Sequence, residues 1–233
     1  MKLPFEEVYL LNLVERPDRL EKMRKQFDHL GWRDQVKEVR AVIHPFCDVI
    51  AKSFNQLKIG FLNSPNAFSC TREHYTLIKS AYLRGVNSIC VMEDDVSFNK
   101  SENLWTEYMY NLPYDWDILR ICSLRGRPEE EKFETIPNLN WANVFSGMWG
   151  TGCYALNRRG MEYMIKSIDS FMQPIDLPLY RYESDSYIKH YLPNTPLGLC
   201  LDDSLQSNIN QTSASNLYFK DLKNIKLDDY GVE

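Results

Sequence analysis

No run of apolar residues in this 233-residue chain approaches the roughly 20 that a membrane-spanning helix requires; Val8-Tyr9-Leu10-Leu11 and Ser88-Ile89-Cys90-Val91-Met92 are among the longest. A membrane span is therefore not expected. The opening Met1-Lys2-Leu3-Pro4-Phe5-Glu6-Glu7 lacks the basic start and continuous apolar stretch of a signal peptide, so the expectation is a cytoplasmic protein or a domain cut from a longer one. No two of the six cysteines have Cys-x-x-Cys spacing, and several stand singly inside apolar runs, which fits buried free thiols in a reducing compartment. Surplus positive charge is lacking too: the formal net charge is -5, and clusters such as Arg158-Arg159 are too small to make nucleic acid a partner. Neither a Gly/Ser-rich or Pro-rich separator nor an internal repeat divides the chain, so residues 1–233 are read as a single domain.

What is present is an alternation of strand and helix periods. Val8 to Leu13 is a buried-strand run, and the helix after it carries Leu20, Met23, Phe27 and Leu30 at three- and four-residue steps, with an Asp18-x-x-Glu21 capping-box pattern and a closing Gly31. Val36 to Val42 alternates as a second strand. A second helix is expected from about Thr71 to Arg84, closed by Gly85, and leads into a strand at Ser88–Met92. Further strands are expected at Asp117–Cys122 and Gly152–Leu156, the latter before a helix begun by Asn157. Such alternation argues for an α/β domain with a largely parallel sheet, whose ligands bind beyond the carboxyl ends of the strands. After Pro174 the pattern turns irregular, which suggests loops and an acidic tail.

Glu93-Asp94-Asp95 follows the strand at Ser88–Met92 directly, delivering three carboxylates to the carboxyl end of a buried strand. Carboxylates gathered there repel one another, and a divalent cation would relieve that repulsion. Oxygen ligands favour Mn²⁺ or Mg²⁺ over zinc, and a cation held this way commonly bridges to a substrate diphosphate. In a strand, Glu93 and Asp95 share one face while Asp94 points away. Asp95 is the candidate direct metal ligand, and Glu93 a second one or a contact to metal-bound water or ribose. The competing reading is a solvated strand-to-loop junction.

In order along the chain, several segments resemble glycosyltransferase family 25, the family of lipooligosaccharide β-galactosyltransferases and procollagen galactosyltransferase domains. They are Val8–Leu13 with Arg16-Pro17-Asp18-Arg19; Cys70 and His74 with the helix to Gly85; Val91-Met92-Glu93-Asp94-Asp95-Val96; Trp116-Asp117-Ile118; Gly150-Thr151-Gly152-Cys153-Tyr154-Ala155-Leu156; and Pro174-Ile175-Asp176. The chain departs from the family pattern at Ser69, Glu73 and Ile43-His44, where Gly, Ser and Asp-Gly would be expected.

The resemblance implies a GT-A-type, Rossmann-like nucleotide-sugar-binding fold, a UDP-hexose donor with galactose as the first expectation, Mn²⁺ dependence and inversion at the anomeric carbon. Residues 1–100 would be the nucleotide-sugar-binding half, 101–215 the acceptor-side half for a glycan or protein-linked acceptor, and 216–233 a tail. Inversion needs a carboxylate base near the acceptor hydroxyl, for which Asp176 and then Asp185 are the candidates; each could instead cap a short turn. Asn12, Arg16, Glu93 and Asp94 are the candidate donor contacts: Asn12 for uracil or ribose, or else for a loop backbone group, and Arg16 for the phosphates. Arg19 reads as a surface helix pair, and His74 as a prop for the metal site or a semi-buried helix residue. Tyr154 and Trp149 are read either as stacking on a sugar ring or as packing. Asp202-Asp203 with Asn208 could add a late metal or phosphate contact, or belong to a solvated loop. Two readings of other classes stay open, a carbohydrate- or nucleotide-binding scaffold with a decayed transferase fold and a metal-dependent phosphohydrolase.

Overall fold

The structure, a computed structural model, describes residues 1–43, 49, 65–125, 132–146, 148–168, 175–176, 178, 187–200 and 227–230. Strand β1 (Glu7–Leu13) leads through helix α1 (Pro17–Leu30) to β2 (Val36–Ala41), and helix α2 (Pro65–Leu83) leads to β3 (Ser88–Glu93). There follow β4 (Val96–Phe98), α3 (Glu102–Tyr110), β5 (Ile118–Arg125), β6 (Lys132–Thr135), β7 (Trp141–Ser146), β8 (Met148–Asn157), α4 (Arg158–Ile168), β9 (His190–Pro193), β10 (Gly198–Cys200) and a 3₁₀ turn at Leu227–Tyr230. Eight strands form one sheet in the order β2-β1-β3-β8-β5-β9-β7-β6, and β4 and β10 pair apart from it. Six of the eight, β1, β2, β3, β5, β6 and β9, run one way, while β7 and β8 run the other. The α/β class with a mostly parallel central sheet is thus the observed one. Gly152–Leu156, however, lies in β8, which is antiparallel to both β3 and β5.

Alternate side chains of each strand face opposite layers, so β1 sends Val8 and Leu10 to one core and Tyr9 and Leu11 to the other. Against Val8 and Leu10 pack Leu20, Met23, Phe27 and Leu30 of α1 and Trp105 of α3. Trp32, Phe98 and Trp105 meet edge-on there, with ring centroids 4.6–5.6 Å apart. Against Tyr9 and Leu11 pack Leu77, Ile78 and Ala81 of α2 and Met161, Met164 and Ile168 of α4.

Local chemistry explains the boundaries. Pro17, with no N–H to leave unpaired, opens α1, and its N-cap Arg16 makes no side-chain cap bond. The capping box expected at Asp18 does not form, because Asp18 is already helical and pairs back to Arg16. Gly31 closes α1 at φ 70°, the left-handed cap. Helix α2 begins earlier than the apolar stripe suggests, at Pro65. Asn157 caps α4, its Oδ1 accepting from the Gly160 N–H at 2.9 Å. The region after Pro174 is not all loop, since β9 joins the main sheet beside β5 and β10 pairs with β4.

Where α4 crosses β5 the chains touch at Gly160: a Cβ there would lie 2.2 Å from the carbonyl oxygen of Asp117. Gly160→Ala is therefore expected to cost about 2–3 kcal/mol by overpacking against backbone that cannot yield, read as a lowered urea midpoint.

Candidate active site

The carboxyl ends of β1 and β3 and the opposing start of β8 form one rim, because Leu11 pairs with Glu93 and Met92 with Cys153. Beyond this rim opens a cleft lined among others by Asn12, Arg19, Cys70, His74, Glu93 and Asp95. The three carboxylates of the triplet lie at this rim, each in a different environment.

Asp94 is buried and turned into the protein. Its Oδ1 accepts from Arg19 Nη1 at 2.9 Å and its Oδ2 from Asn12 Nδ2 at 2.6 Å. Arg19, only 3% exposed, is therefore a buried cation rather than the surface partner its helix position suggests. Its Nη1 also stands 3.8 Å from Asp95 Oδ2. Asn12 Nδ2 gives a second bond to the Arg16 carbonyl at 3.0 Å, so Asn12 ties the loop after β1 to the triplet. Its Oδ1 is buried and has no partner among the described residues.

Glu93 faces α2 and β8. Its Oε1 accepts from Thr151 Oγ1, lies 2.9 Å from His74 Nε2, and is 3.9 Å from the Cys70 thiol. Burial acts to raise this carboxyl, but the bonds from His74 and Thr151 and the nearby Arg120 outweigh it and hold Glu93 below its ordinary value. His74 is fully enclosed, its Nδ1 bonded to the Tyr154 hydroxyl at 2.8 Å and its ring stacked on that tyrosine. Tyr154, 0% exposed, thus packs and holds His74, and the reading of it as a sugar-stacking platform is set aside.

Asp95 remains partly exposed at 28%. Burial first, then repulsion from Glu93, push its carboxyl up to about 7 against the pull of Arg19. It is the carboxylate of the triplet whose charge the protein leaves least compensated. Hard oxygen donors with uncompensated charge fit Mn²⁺ or Mg²⁺, with Asp95 and Glu93 the available pair. Lys22, one turn along α1 from Arg19, is within the field of Asp95 and bonds Ser97 Oγ at 3.1 Å.

Asp176 reaches the same neighbourhood from the far side of the chain. Its Oδ2 accepts from the Gly150 N–H at 3.2 Å, and the adjacent Ile175 N–H bonds Thr71 on α2 at 3.2 Å. Burial is the main cause of the raised Asp176 carboxyl, opposed by the Gly150 N–H and Arg120. Gly150, at φ 76°, needs the left-handed conformation that glycine tolerates, and its carbonyl accepts from the buried Arg120 Nη2. Arg16 forms a two-point pair with Asp18, at 3.0 and 2.7 Å, near the triplet's field. Asp185, Asp202, Asp203 and Asn208 lie outside the described residues; Trp149 stands in β8.

Sequence reasoning missed the buried Arg19 and Arg120. Their signal was weak: each is a lone arginine at a period position where an apolar residue would fit, Arg120 within Ile118-Leu119-Arg120-Ile121-Cys122. The Thr151–Glu93 and Tyr154–His74 bonds join the Gly-Thr-x-x-Tyr segment to the acidic triplet across the sheet.

With residues from six separate segments meeting at one rim, the comparison with known proteins becomes specific. The model of glycosyltransferase family 25 (LPS biosynthesis protein) matches residues 5–179. The chain belongs to glycosyltransferase family 25. Among family 25 relatives, "Probable inactive glycosyltransferase 25 family member 3" of Bos taurus is 26% identical over 211 residues, 82% of this chain and 35% of its own. Procollagen galactosyltransferase 1 of Danio rerio is 23% identical over 214 residues, 82% of this chain and 34% of its own. Procollagen galactosyltransferase 1-A of Xenopus laevis is 23% identical over 229 residues, 88% of this chain and 36% of its own. The chain spans about a third of the length of the curated relatives it matches. Among the described residues, no helix is long and apolar enough to cross a membrane.

Proposed function

We propose that this chain is a metal-dependent inverting glycosyltransferase that moves a hexose, galactose first, from a UDP-sugar to a glycan or hydroxylated acceptor. The observation that carries this reading is the unequal fate of the triplet: Asp94 is tied to Arg19 and Asn12, while Asp95 stays partly exposed beside Glu93 with its charge poorly compensated. Asp95 and Glu93 would hold Mn²⁺ or Mg²⁺, which when bound supplies Lewis-acid neutralisation of the leaving diphosphate. Asn12, whose buried Oδ1 lacks a protein partner among the described residues, would accept from the nucleoside. Arg16, which feels the charges of Asp94 and Asp95, would meet the phosphates.

Asp176 would take the proton of the acceptor hydroxyl as the sugar is displaced. The Gly150 N–H fixes the carboxylate, and the Arg120 bond to the Gly150 carbonyl steadies the same peptide. Asp176→Asn is expected to lower kcat by about 10²-fold with little change in UDP binding. Since Asp176 must be ionised to act and burial raises its carboxyl, the acid limb of kcat/KM should lie above the ordinary carboxylate range. An unchanged kcat in Asp176→Asn would remove it from the role of base.

The primary test is UDP release from UDP-galactose and other UDP-hexoses in the presence of Mn²⁺, which EDTA should abolish. A second reading, a nucleotide-binding scaffold with a decayed active site, draws support from the family 25 relatives named inactive. Calorimetry with UDP and Mn²⁺ separates the two, because a pure scaffold should give no metal-dependent heat. Release of inorganic phosphate in place of UDP would favour the phosphohydrolase reading.

A further inference from the structure

Cys70 and His74 stand one turn apart on the same face of α2, and both aim at Glu93 across the cleft wall. Cys70 Sγ, His74 Nε2 and a Glu93 carboxylate oxygen all lie within 4.8 Å of one another. With zinc bonds of about 2.3 Å to sulfur and about 2.0 Å to nitrogen and oxygen, tetrahedral ligand atoms sit roughly 3.3–3.6 Å apart. The observed separations of 2.9 Å for Nε2–Oε1 and 3.9 Å for Sγ–Oε1 bracket that value.

We infer that Cys70, His74 and Glu93 form a second cation site, softer than the Asp95 side of the triplet, that takes Zn²⁺. The chemistry of the donors decides the ion, because thiolate and imidazole select zinc over Mn²⁺ or Mg²⁺. The outer shell is already built: the Tyr154 hydroxyl holds His74 Nδ1 at 2.8 Å and so leaves Nε2 directed at the site. Burial first, and then the charges of Glu93, Asp176, Asp95 and Asp94, push the Cys70 thiol well above its ordinary value, so the ion itself must displace that proton while the same carboxylates attract the cation. Three protein ligands at the wall of an open cleft leave a fourth position for water, the pattern of exchangeable rather than structural zinc. Binding releases the Cys70 thiol proton to solvent and breaks the hydrogen bond between His74 and Glu93, the proton leaving Nε2 so that the neutral imidazole carries its proton on Nδ1 and donates it to the Tyr154 oxygen. Because Glu93 is shared, zinc there would draw its carboxylate toward α2 and inhibit Mn²⁺-dependent turnover; this consequence, unlike the site itself, rests on the proposed transferase activity.

The test titrates chelator-stripped protein with Zn²⁺ by calorimetry and with Co²⁺ by absorbance. Expected are one zinc per chain, a thiolate-to-cobalt charge-transfer band in the near ultraviolet, and a sulfur neighbour at about 2.3 Å in zinc X-ray absorption. Cys70→Ser should lose the band and the sulfur neighbour and weaken zinc at least 10-fold, and His74→Gln should weaken it similarly, whereas Asp95→Ala should retain both signals. Should Cys70→Ser fail to fold, X-ray absorption of the unaltered chain decides: zinc with only nitrogen and oxygen neighbours overturns the proposal. Equal zinc affinity in folded Cys70→Ser overturns it too. Zinc binding as described with no Mn²⁺-dependent UDP release would leave this site standing and sink the transferase reading instead.

Discussion

Asp95→Ala is expected to lower Mn²⁺-dependent UDP release by about 10³-fold while making the metal-free protein more stable, not less. The two effects have one cause. With no cation bound, Asp95 is held in a half-buried position beside Glu93 and Asp94, and its carboxyl is pushed up to about 7 from an ordinary 3.8. An acid whose folded value is raised favours the folded state only while protonated. Its unfavourable contribution is absent below about pH 4 and grows as pH rises toward 7, where the folded protein must ionise a group that the unfolded chain ionises freely. Asp95→Ala should therefore raise the thermal midpoint at pH 8, by a free energy on the order of 2 kcal/mol, and leave it unchanged at pH 4. Adding Mn²⁺ at pH 8 should stabilise the unaltered protein and not Asp95→Ala. Turnover that survives in Asp95→Ala would refute the metal role directly; a variant destabilised at pH 8 would mean that Asp95 is a structural residue and not a strained one.

The same contrast between strained and satisfied carboxylates explains what could be read from the residues alone. The placement of Glu93-Asp94-Asp95 at a strand end was legible because Ser88 to Met92 is a short apolar run that follows a helical pattern closed by Gly85, and the structure has β3 there. The strand alternation expected to set Glu93 and Asp95 apart from Asp94 does not apply, because β3 ends at Glu93 and Asp94-Asp95 form a turn; it is the ion pair with Arg19 that holds Asp94 inward. What was hidden was every relation across the sheet. Whether β8 runs parallel or antiparallel is decided by how the chain returns, not by the pattern of Cys153-Tyr154-Ala155-Leu156, which reads alike in both directions. Consequently the meeting of Thr151 with Glu93 and of Tyr154 with His74 could not be deduced, and Tyr154 was open to a reading as a ligand platform. Helix ends followed local rules where a left-handed glycine was needed, as at Gly31. They did not where Arg16 claimed the Asp18 carboxylate that a capping box would use.

Arg19→Met should cost about 3–5 kcal/mol of stability, because it deletes one member of a buried ion pair and leaves the other behind. The pair lies deep, at 3% exposure for Arg19 and 9% for Asp94, with Nη1 to Oδ1 at 2.9 Å. Without the guanidinium, Asp94 keeps, among the described residues, the Asn12 amide as its side-chain partner, and a buried carboxylate with one neutral partner is expensive. Asp94→Asn should cost less, since Arg19 still has Asp95 within 3.8 Å, and the double variant should recover part of the loss of Arg19→Met. Urea unfolding of the four proteins gives the coupling; additive costs would show that Arg19 and Asp94 do not depend on each other. The cation also separates two demands on the triplet. Arg19 pairs directly with Asp94 at 2.9 Å and stands farther off, at 3.8 Å, from Asp95. Removing Arg19 exposes both carboxylates to the cleft's unbalanced charge, so Mn²⁺ should restore more stability to Arg19→Met than to the unaltered chain. A Mn²⁺ stabilisation no larger in Arg19→Met would mean that the ion does not share this field.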